Sequence, residues 1–430
     1  MKYLKNLISN KTFIYLFYSL PIFFILGNLF VNIFIIIICL SFFFLKKEFE
    51  IVNKKVFYTL AILCIFFLIS SFNSTYLEYS VLKSATYTRF FLFLMILPIL
   101  IKKIDINFNK LGLSFLVIVF FVIFDTLIQL SFGKDIFGIP EFKSYNRLSG
   151  PFGDELIVGN FVFYFGFLGL ALFSNNKSLD NYLLFFIFII FGVFCFITGE
   201  RNTFLSYLLF MILLFIFSKK KIVIVISTLT VILITLSLFL NFERFKNKYN
   251  PYLIATYKID NLKSTNQKND EVLENNNYDN FYVMELKDII INSIWFSHYR
   301  AGIEIFEKNK LFGSGFKSFR YECRDMFPDI EQRDEEKIIC SSHPHNMYIE
   351  LLSDTGLFGF LFFLILILSF LYMSVKKNFF IKDFNVSIIN CLFMTFIFPL
   401  KPHGSLFSTS SAFIFWLIFS FLIINSLKKN

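Results

Sequence analysis

Apolar runs alternate with short polar breaks along most of the chain, and one break is far longer than the others. A helix that crosses a bilayer takes ~20 mainly apolar residues. Runs near that size cover residues 56 to 72, 86 to 101, 111 to 132, 157 to 174, 182 to 198, 203 to 217 and 222 to 240, and later 346 to 373, 384 to 400 and 410 to 427. Residues 12 to 45 are too long for one span and too short for two full ones, and Gly27-Asn28 offers a turn, so two short or tilted helices are expected there. The pattern predicts an all-α polytopic membrane protein of about twelve transmembrane helices. Helices 1 to 9 fall in residues 1–240 and helices 10 to 12 in 346–430, with a large, partly helical loop at 241–345 between them.

Lysine placement tests that count, because cytoplasmic loops collect Lys and Arg. With the N-terminus inside, the inner loops hold Lys46, Lys47, Lys54 and Lys55, then Lys102, Lys103 and Lys110, then Lys177. Lys219, Lys220 and Lys221 follow, then Lys376, Lys377 and Lys382, and finally Lys428 and Lys429. The alternate short loops are poorer in both residues, and removing one helix would break the alternation. Both termini are therefore expected in the cytoplasm and the 241–345 loop outside it. Lys2, Lys5 and Lys11 precede an apolar run as in a signal peptide, but no small-x-small cleavage site follows, so a retained helix is expected.

Composition agrees: 56% of residues are hydrophobic and 17% charged, the balance of a membrane protein rather than a soluble domain. The 67 phenylalanines, with many Ile, Asn and Lys, fit an AT-rich coding sequence and need no functional reading. The net charge of +10 is mostly topology signal and gives no reason to expect nucleic acid.

Within the outer loop, the Asn-rich tract from Lys263 to Asn280 has the composition of a flexible segment. Ile289 to Phe306 has apolar spacing compatible with a helix packed on the membrane domain, and Leu311-Phe312-Gly313-Ser314-Gly315-Phe316 forms a turn after it. Cys39, Cys64, Cys195 and Cys391 lie in apolar runs as packing residues, whereas Cys323 and Cys340 share the loop and could pair if that compartment is oxidising. Cys and His show no zinc spacing, so no metal site is expected.

The loop ends at Ser342-His343-Pro344-His345-Asn346-Met347-Tyr348, where the tenth apolar run begins. Pro344 suits a helix start, which would place His345 at or near a helix N-terminus on the water boundary. Backbone N–H groups there favour anions and disfavour an imidazolium. A neutral histidine beside a phosphate-tolerant spot suggests transfer chemistry on a phosphorylated substrate; the plain alternative is a helix cap with an exposed histidine.

His345, Asn346, Tyr348, Leu352, Gly356, Leu357 and Gly359, with Asp354 before Thr355-Gly356, make a pattern that resembles the signature of the O-antigen ligase and O-antigen polymerase superfamily of bacterial envelopes. Thr198-Gly199-Glu200-Arg201 resembles its Thr-Gly-Ser-Arg segment, with Glu200 for the usual small residue. Ser297-His298-Tyr299-Arg300 and Gly313-Ser314-Gly315 resemble its Arg-helix-Pro-x-Gly-x-Gly segment, with Lys310 where Pro is common. Arg147-Leu148-Ser149-Gly150-Pro151-Phe152-Gly153 resembles an Arg-x-x-Gly-x-Phe segment but lacks the Asn-Pro-Asn that follows it. The resemblance covers roughly residues 140 to 400.

It implies a glycosyltransferase of the bacterial inner membrane. The implied donor is a glycan on a polyprenyl (undecaprenyl) diphosphate, and the implied acceptor is a sugar hydroxyl of lipid A–core or of another glycan, met on the periplasmic face. His345 would be the general base of a metal-independent, inverting displacement that uses no cofactor. Arg201 and Arg300, with Arg147 and Arg89, would hold the diphosphate, because arginine binds phosphate with a planar fork and stays charged. All four histidines, His298, His343, His345 and His403, fall on the same outer side in this topology. Arginine at a membrane edge is also commonly just an anchor. Asp125, inside an apolar run, is either functional or half of an ion pair with a nearby Arg. Gly356 and Gly359 suit close helix packing, and Lys317, Arg320 and Arg324 suit a solvated face. A polymerase that joins lipid-linked repeat units could use the same residues. A flippase or secondary transporter would need related halves with broken helices, which the sequence lacks, and a purely structural anchor would need no histidine–arginine cluster.

Overall fold

The computed structural model describes residues 10–44, 54–142, 146–174, 179–249, 294–328 and 340–427. The described residues are helical, with two isolated antiparallel bridges, Lys134 with Pro140 and Phe142 with Arg147. The helices are α1 (Asn10–Tyr18), α2 (Leu20–Ile25), α3 (Asn28–Leu40), α4 (Lys54–Phe72), α5 (Leu77–Ile104), α6 (Phe108–Phe132), α7 (Val158–Phe173) and α8 (Asn181–Ile197). Then come α9 (Arg201–Phe217), α10 (Lys221–Asn241), α11 (Glu243–Tyr249), α12 (Ile294–Lys308), α13 (Phe319–Met326), α14 (Met347–Ile381), α15 (Phe384–Phe396) and α16 (Thr409–Leu427).

The sequence pattern and the helices agree in order and differ in detail. By length and composition α5, α6, α10 and α14 could each cross a membrane, and the other apolar helices are shorter. The first apolar stretch breaks at Gly27, whose φ of +97° suits glycine, and again at Ser19. α5 begins at Leu77, well before the apolar run expected from 86, so Arg89 lies inside a helix rather than at its start. The Lys263–Asn280 tract, residues 289–293 and Lys2, Lys5, Lys46, Lys47, Lys177, Lys428 and Lys429 lie outside the described residues.

Hydrogen bonds sort the helix ends into two sets. At one end, Asn73 after α4 donates to Gly313 O (2.7 Å), Gly159 N in α7 donates to Glu200 (2.8 Å), and His403 N donates to His345 O (2.7 Å). At the other end, the Lys220 ammonium donates to Asn181 (2.7 Å) and the Ser387 hydroxyl to Phe217 O (2.8 Å). The α12 and α13 helices, within residues 241–345, belong to the first end, through Gly313 and Phe316.

Phenylalanine does more here than fill composition. Phe163, Phe167, Phe191 and Phe210 form a buried cluster of edge-to-face and tilted rings, with Phe167 and Phe210 centroids 4.2 Å apart. Gly112 lets α6 meet α7: a Cβ there would lie 2.6 Å from Gly169 O. Asp125 is buried and has no ion pair with an arginine among the described residues: its Oδ1 accepts from Ile136 N (2.9 Å). With Gln129, which accepts from Ser149 N and Gly150 N, it pins the segment leading to Arg147.

α14 is two helices joined at a kink. Gly356 has φ +67°, a conformation that suits glycine. The break leaves backbone groups of the helix unpaired, and the turn after α12 takes them up. Leu357 N donates to Lys310 O (2.8 Å), Ser314 N to Ser353 O (2.9 Å) and Gly315 N to Asp354 O (3.1 Å). A Cβ on Gly356 would lie 2.4 Å from Leu311 O, and one on Gly313 2.5 Å from Asp354 O. Gly356 thus seats a turn rather than a neighbouring helix, and a Cβ on Gly359 would meet Thr355 of its own helix. Gly133 shares the positive φ but has open space around it. Gly356→Ala should therefore cost more than ~2 kcal/mol and Gly133→Ala only about 1; melting of both variants in detergent checks the difference.

Candidate functional site

α14 starts later than Pro344 suggested. Asn346 is its cap: Oδ1 accepts from Tyr348 N (2.9 Å) and Ile349 N (3.3 Å). The first-turn N–H groups expected to face an anion are therefore taken up by Asn346. His345 precedes the cap, on a left-handed residue with φ +56°. Its ring meets three others: His343 with centroids at 4.1 Å, His298 at 4.8 Å and Trp295 at 5.1 Å. His298 and Trp295 come from α12, which approaches α14 closely because residue 302 is glycine; a Cβ there would lie 2.3 Å from Ile349. Sequence reasoning gave Trp295 no role. The signal was its place one helical turn before His298, which matters only once α12 is known to lie on His345.

Burial lowers the His345 pKa to about 4, with the neighbouring His298 pushing the same way. Burial likewise lowers His343 to about 3, with His345 adding to it. Both are neutral at pH 7, as the sequence suggested for His345, but desolvation and ring neighbours are the cause rather than a helix terminus. Cys323 and Cys340 are joined by a disulfide, with Cα atoms 5.7 Å apart, which ties α13 to the chain three residues ahead of His343.

A strap at residues 397–408 runs past the histidines. His345 O accepts from His403 N (2.7 Å), Asn346 Nδ2 donates to Pro399 O (2.8 Å), and the Tyr348 hydroxyl donates to Ile397 O. Glu350, buried one turn into α14, holds the strap further on, accepting from Leu406 N (2.7 Å) and the Ser405 hydroxyl. Farther along, Asn202 Nδ2 in α9 donates to Pro402 O (2.7 Å). The buried Lys401 ammonium donates to the Tyr164 hydroxyl (2.7 Å) and lies over the Tyr164 and Phe396 rings. Burial lowers the Lys401 pKa to about 7.

Asn202 sits beside the second cluster. Gly199, at φ +75°, lets the turn before α9 press on the 146–148 segment: Leu148 N donates to Thr198 O (3.1 Å), and a Cβ on Gly199 would lie 2.4 Å from Asn146 O. Arg147 and Arg201 are thereby drawn to one place. Arg201 Nε donates to Lys248 O (2.8 Å), and Arg147 Nη2 to Leu156 O (2.6 Å) while its buried Nε has no partner among the described residues. Lys248 has its pKa lowered to about 8, first by burial and then by Arg147 and Arg201. Glu200, where the family resemblance has a small residue, is buried and caps α7 through Gly159 N and Asn160 N. Arg244 pairs with Glu141 at 2.6 Å.

The other candidates lie elsewhere. Arg300 is two residues beyond His298 on α12, 3.9 Å from Glu304. Arg89 lines a separate cavity with Lys83 and Lys317, and none of the histidines lines it. Lys317 is half-buried rather than solvated, its ammonium donating to Phe407 O (3.1 Å). Among the described residues no group of three His, Cys, Asp or Glu side chains could hold a metal ion.

Residues 186–364 match the family model for O-antigen ligase. The matched range holds Arg201, Lys248, Arg300, His343 and His345, while Arg89, Arg147 and the 397–408 strap lie outside it. Comparison with curated proteins gave no match.

The depressed histidine pKa values carry a sign. Above pH 6.5 these imidazoles are neutral whether the chain is folded or not; between 6.5 and about 4 the unfolded chain binds protons that the folded His345 does not. Stability should therefore fall as pH drops through that window, and His343→Gln should flatten the slope; melts from pH 7.5 down to 4 measure it. Asn346→Ala should cost about 1 kcal/mol from the cap alone, more than Asn346→Asp, which keeps the acceptor.

Proposed function

We propose that this chain, whose 186–364 stretch carries the O-antigen ligase family domain, transfers a glycan from a polyprenyl diphosphate to a sugar hydroxyl of lipid A–core. It works in the bacterial inner membrane with both termini cytoplasmic and the histidine end of the bundle in the periplasm. The domain division into residues 1–240, 241–345 and 346–430 goes with that orientation. The family match supports an O-antigen ligase or polymerase type of activity.

One observation carries it: a neutral, half-buried His345 and a basic cluster of Arg147, Arg201 and Lys248 are tied to the same strap at the same end of the bundle. His345 takes the proton of the acceptor hydroxyl. The oxygen then attacks the anomeric carbon from the face opposite the diphosphate, and the bond from that carbon to the diphosphate oxygen breaks with inversion. Arg201, Arg147 and Lys248 stabilise the charge on the departing diphosphate, and Arg300 guards the loop side. No metal is assigned a role. A histidine held near pKa 4 is a weak base, and an arriving diphosphate corrects this, because a nearby anion favours the protonated imidazole.

His345→Ala in a deletion strain, at matched expression, should leave lipid A–core without O-antigen while lipid-linked polymer accumulates. Core bearing a single repeat unit would make the protein a polymerase, and a normal ladder would remove His345 as the base. Arg201→Lys keeps the charge and loses the fork, and should lower transfer about tenfold or more; initial rates in detergent with a lipid-diphosphate donor measure it.

A further inference from the structure

The histidine centre leaves one basic feature unused. A cavity of about 510 Å³ lies between α3, α5, the Phe316-Lys317 segment and the start of α16. Lys83, Arg89 and Lys317 line it, and no Asp or Glu does. Their partners are weak ones for cations. The Lys83 ammonium lies 5.1 Å from the Tyr79 ring, Lys317 donates to a backbone carbonyl, and Arg89 donates to Thr86 O (2.5 Å) and the Thr409 hydroxyl (3.4 Å). Among the described residues none of the three forms an ion pair. Arg89 Nε and Asn32 Oδ1, both from lining residues, are buried and have no hydrogen-bond partner among the described residues. The cavity lining thus holds a donor and an acceptor without protein partners and three cations with no carboxylate among them, Glu350 and Asp354 acting on Lys317 from outside the cavity, and a buried polar group left unpaired is costly.

Ile36 lines the cavity, and apolar residues near it in sequence face outward. Ile33, Ile36, Ile37 and Leu40 of α3 are exposed, and so is Leu82 of α5. A ligand with a negative head and acyl tails fits this arrangement: the head among the cations, a hydroxyl or amide N–H toward Asn32, and the tails along α3. Arginine and lysine together suit a phosphomonoester.

We propose that this cavity binds the phosphorylated sugar headgroup of an anionic glycolipid, and that this lipid is the acceptor. The acceptor part rests on the transferase reading above; the binding part does not. Arg89 then serves the acceptor lipid and not the donor diphosphate. The Lys317 segment and Glu350 connect the cavity to the centre, since Lys317 reaches Phe407 on the strap and Glu350 holds Ser405 and Leu406 beside it.

The test is direct binding to the purified full chain in detergent, with bisphosphorylated lipid A as probe. Wild type and His345→Ala should bind it equally. Arg89→Gln and Lys317→Gln should each bind about tenfold more weakly, the loss of one charge-assisted contact, and Arg89→Lys should recover part of it. If Arg89→Gln does not fold, Lys83→Gln at the cavity rim should still weaken binding. Dephosphorylated lipid A should bind no better to wild type than to Arg89→Gln. Unchanged affinity in the folded Gln variants would overturn the site. Competition by millimolar inorganic phosphate would make it a free-phosphate site, and equal binding of phosphatidylglycerol would make it a general anionic-lipid site; either overturns the glycolipid assignment. Intact lipid binding by a wild-type protein that transfers nothing from a lipid-diphosphate donor would sink the transferase reading alone, and lost transfer in His345→Ala with unchanged lipid binding in Arg89→Gln would sink the cavity alone.

Discussion

The break in α14 at Gly356 is the constraint on which the rest hangs. A helix interrupted away from water must have its freed N–H and C=O groups satisfied by protein. Here the Lys310–Gly315 turn supplies the partners, and it can approach only because residues 313 and 356 lack side chains. That docking fixes the end of α12 against α14. Once α12 is fixed, Trp295 and His298 are delivered to His345. A helix break that reads as a packing detail thus sets the environment of the candidate base.

The strap at residues 397–408 supplies the second constraint. It has no regular secondary structure up to the start of α16, so its backbone groups look outward for partners, and they find them on several helices. Asn346, Tyr348 and Glu350 hold it to α14, Asn202 to α9 and Lys401 to α7. The histidine centre and the arginine cluster are consequently parts of one construction, although Arg147 and His345 are nearly two hundred positions apart in sequence. Glu200 completes the arrangement by setting a buried carboxylate among the cations while capping α7, so the cluster keeps net positive charge without bare repulsion.

The sequence made the helices legible because apolar runs of membrane length carry their own signal, and it made His345 legible because a polar segment ends there. It placed the break at Gly27 and the loop helix over Ile294–Lys308 close to where they lie. What it could not carry were relations between distant segments. Pro344 looked like a helix start, yet Asn346 has the side-chain acceptor that a cap needs, and that geometry moves His345 off the helix. The fall in the His345 pKa was legible in sign, whereas its cause is burial first, with His298 arriving from another helix adding to it. Arg89 read as an addition to the arginines that hold the diphosphate; the true start of α5 and the Thr409 contact set it apart. Lys317 looked solvated because nothing local in its sequence points to Phe407.

The claim that everything else serves is that a desolvated His345 is tuned by the charge of its own substrate. The pH dependence of transfer by the purified protein tests it most directly, because the acid limb of kcat/KM reports the free enzyme and that of kcat the loaded one. The account predicts an acid limb near pH 4 in kcat/KM and a limb at clearly higher pH in kcat, both lost in the residual activity of His345→Ala. Coincident limbs at the ordinary histidine value, or limbs that survive in His345→Ala, would contradict it.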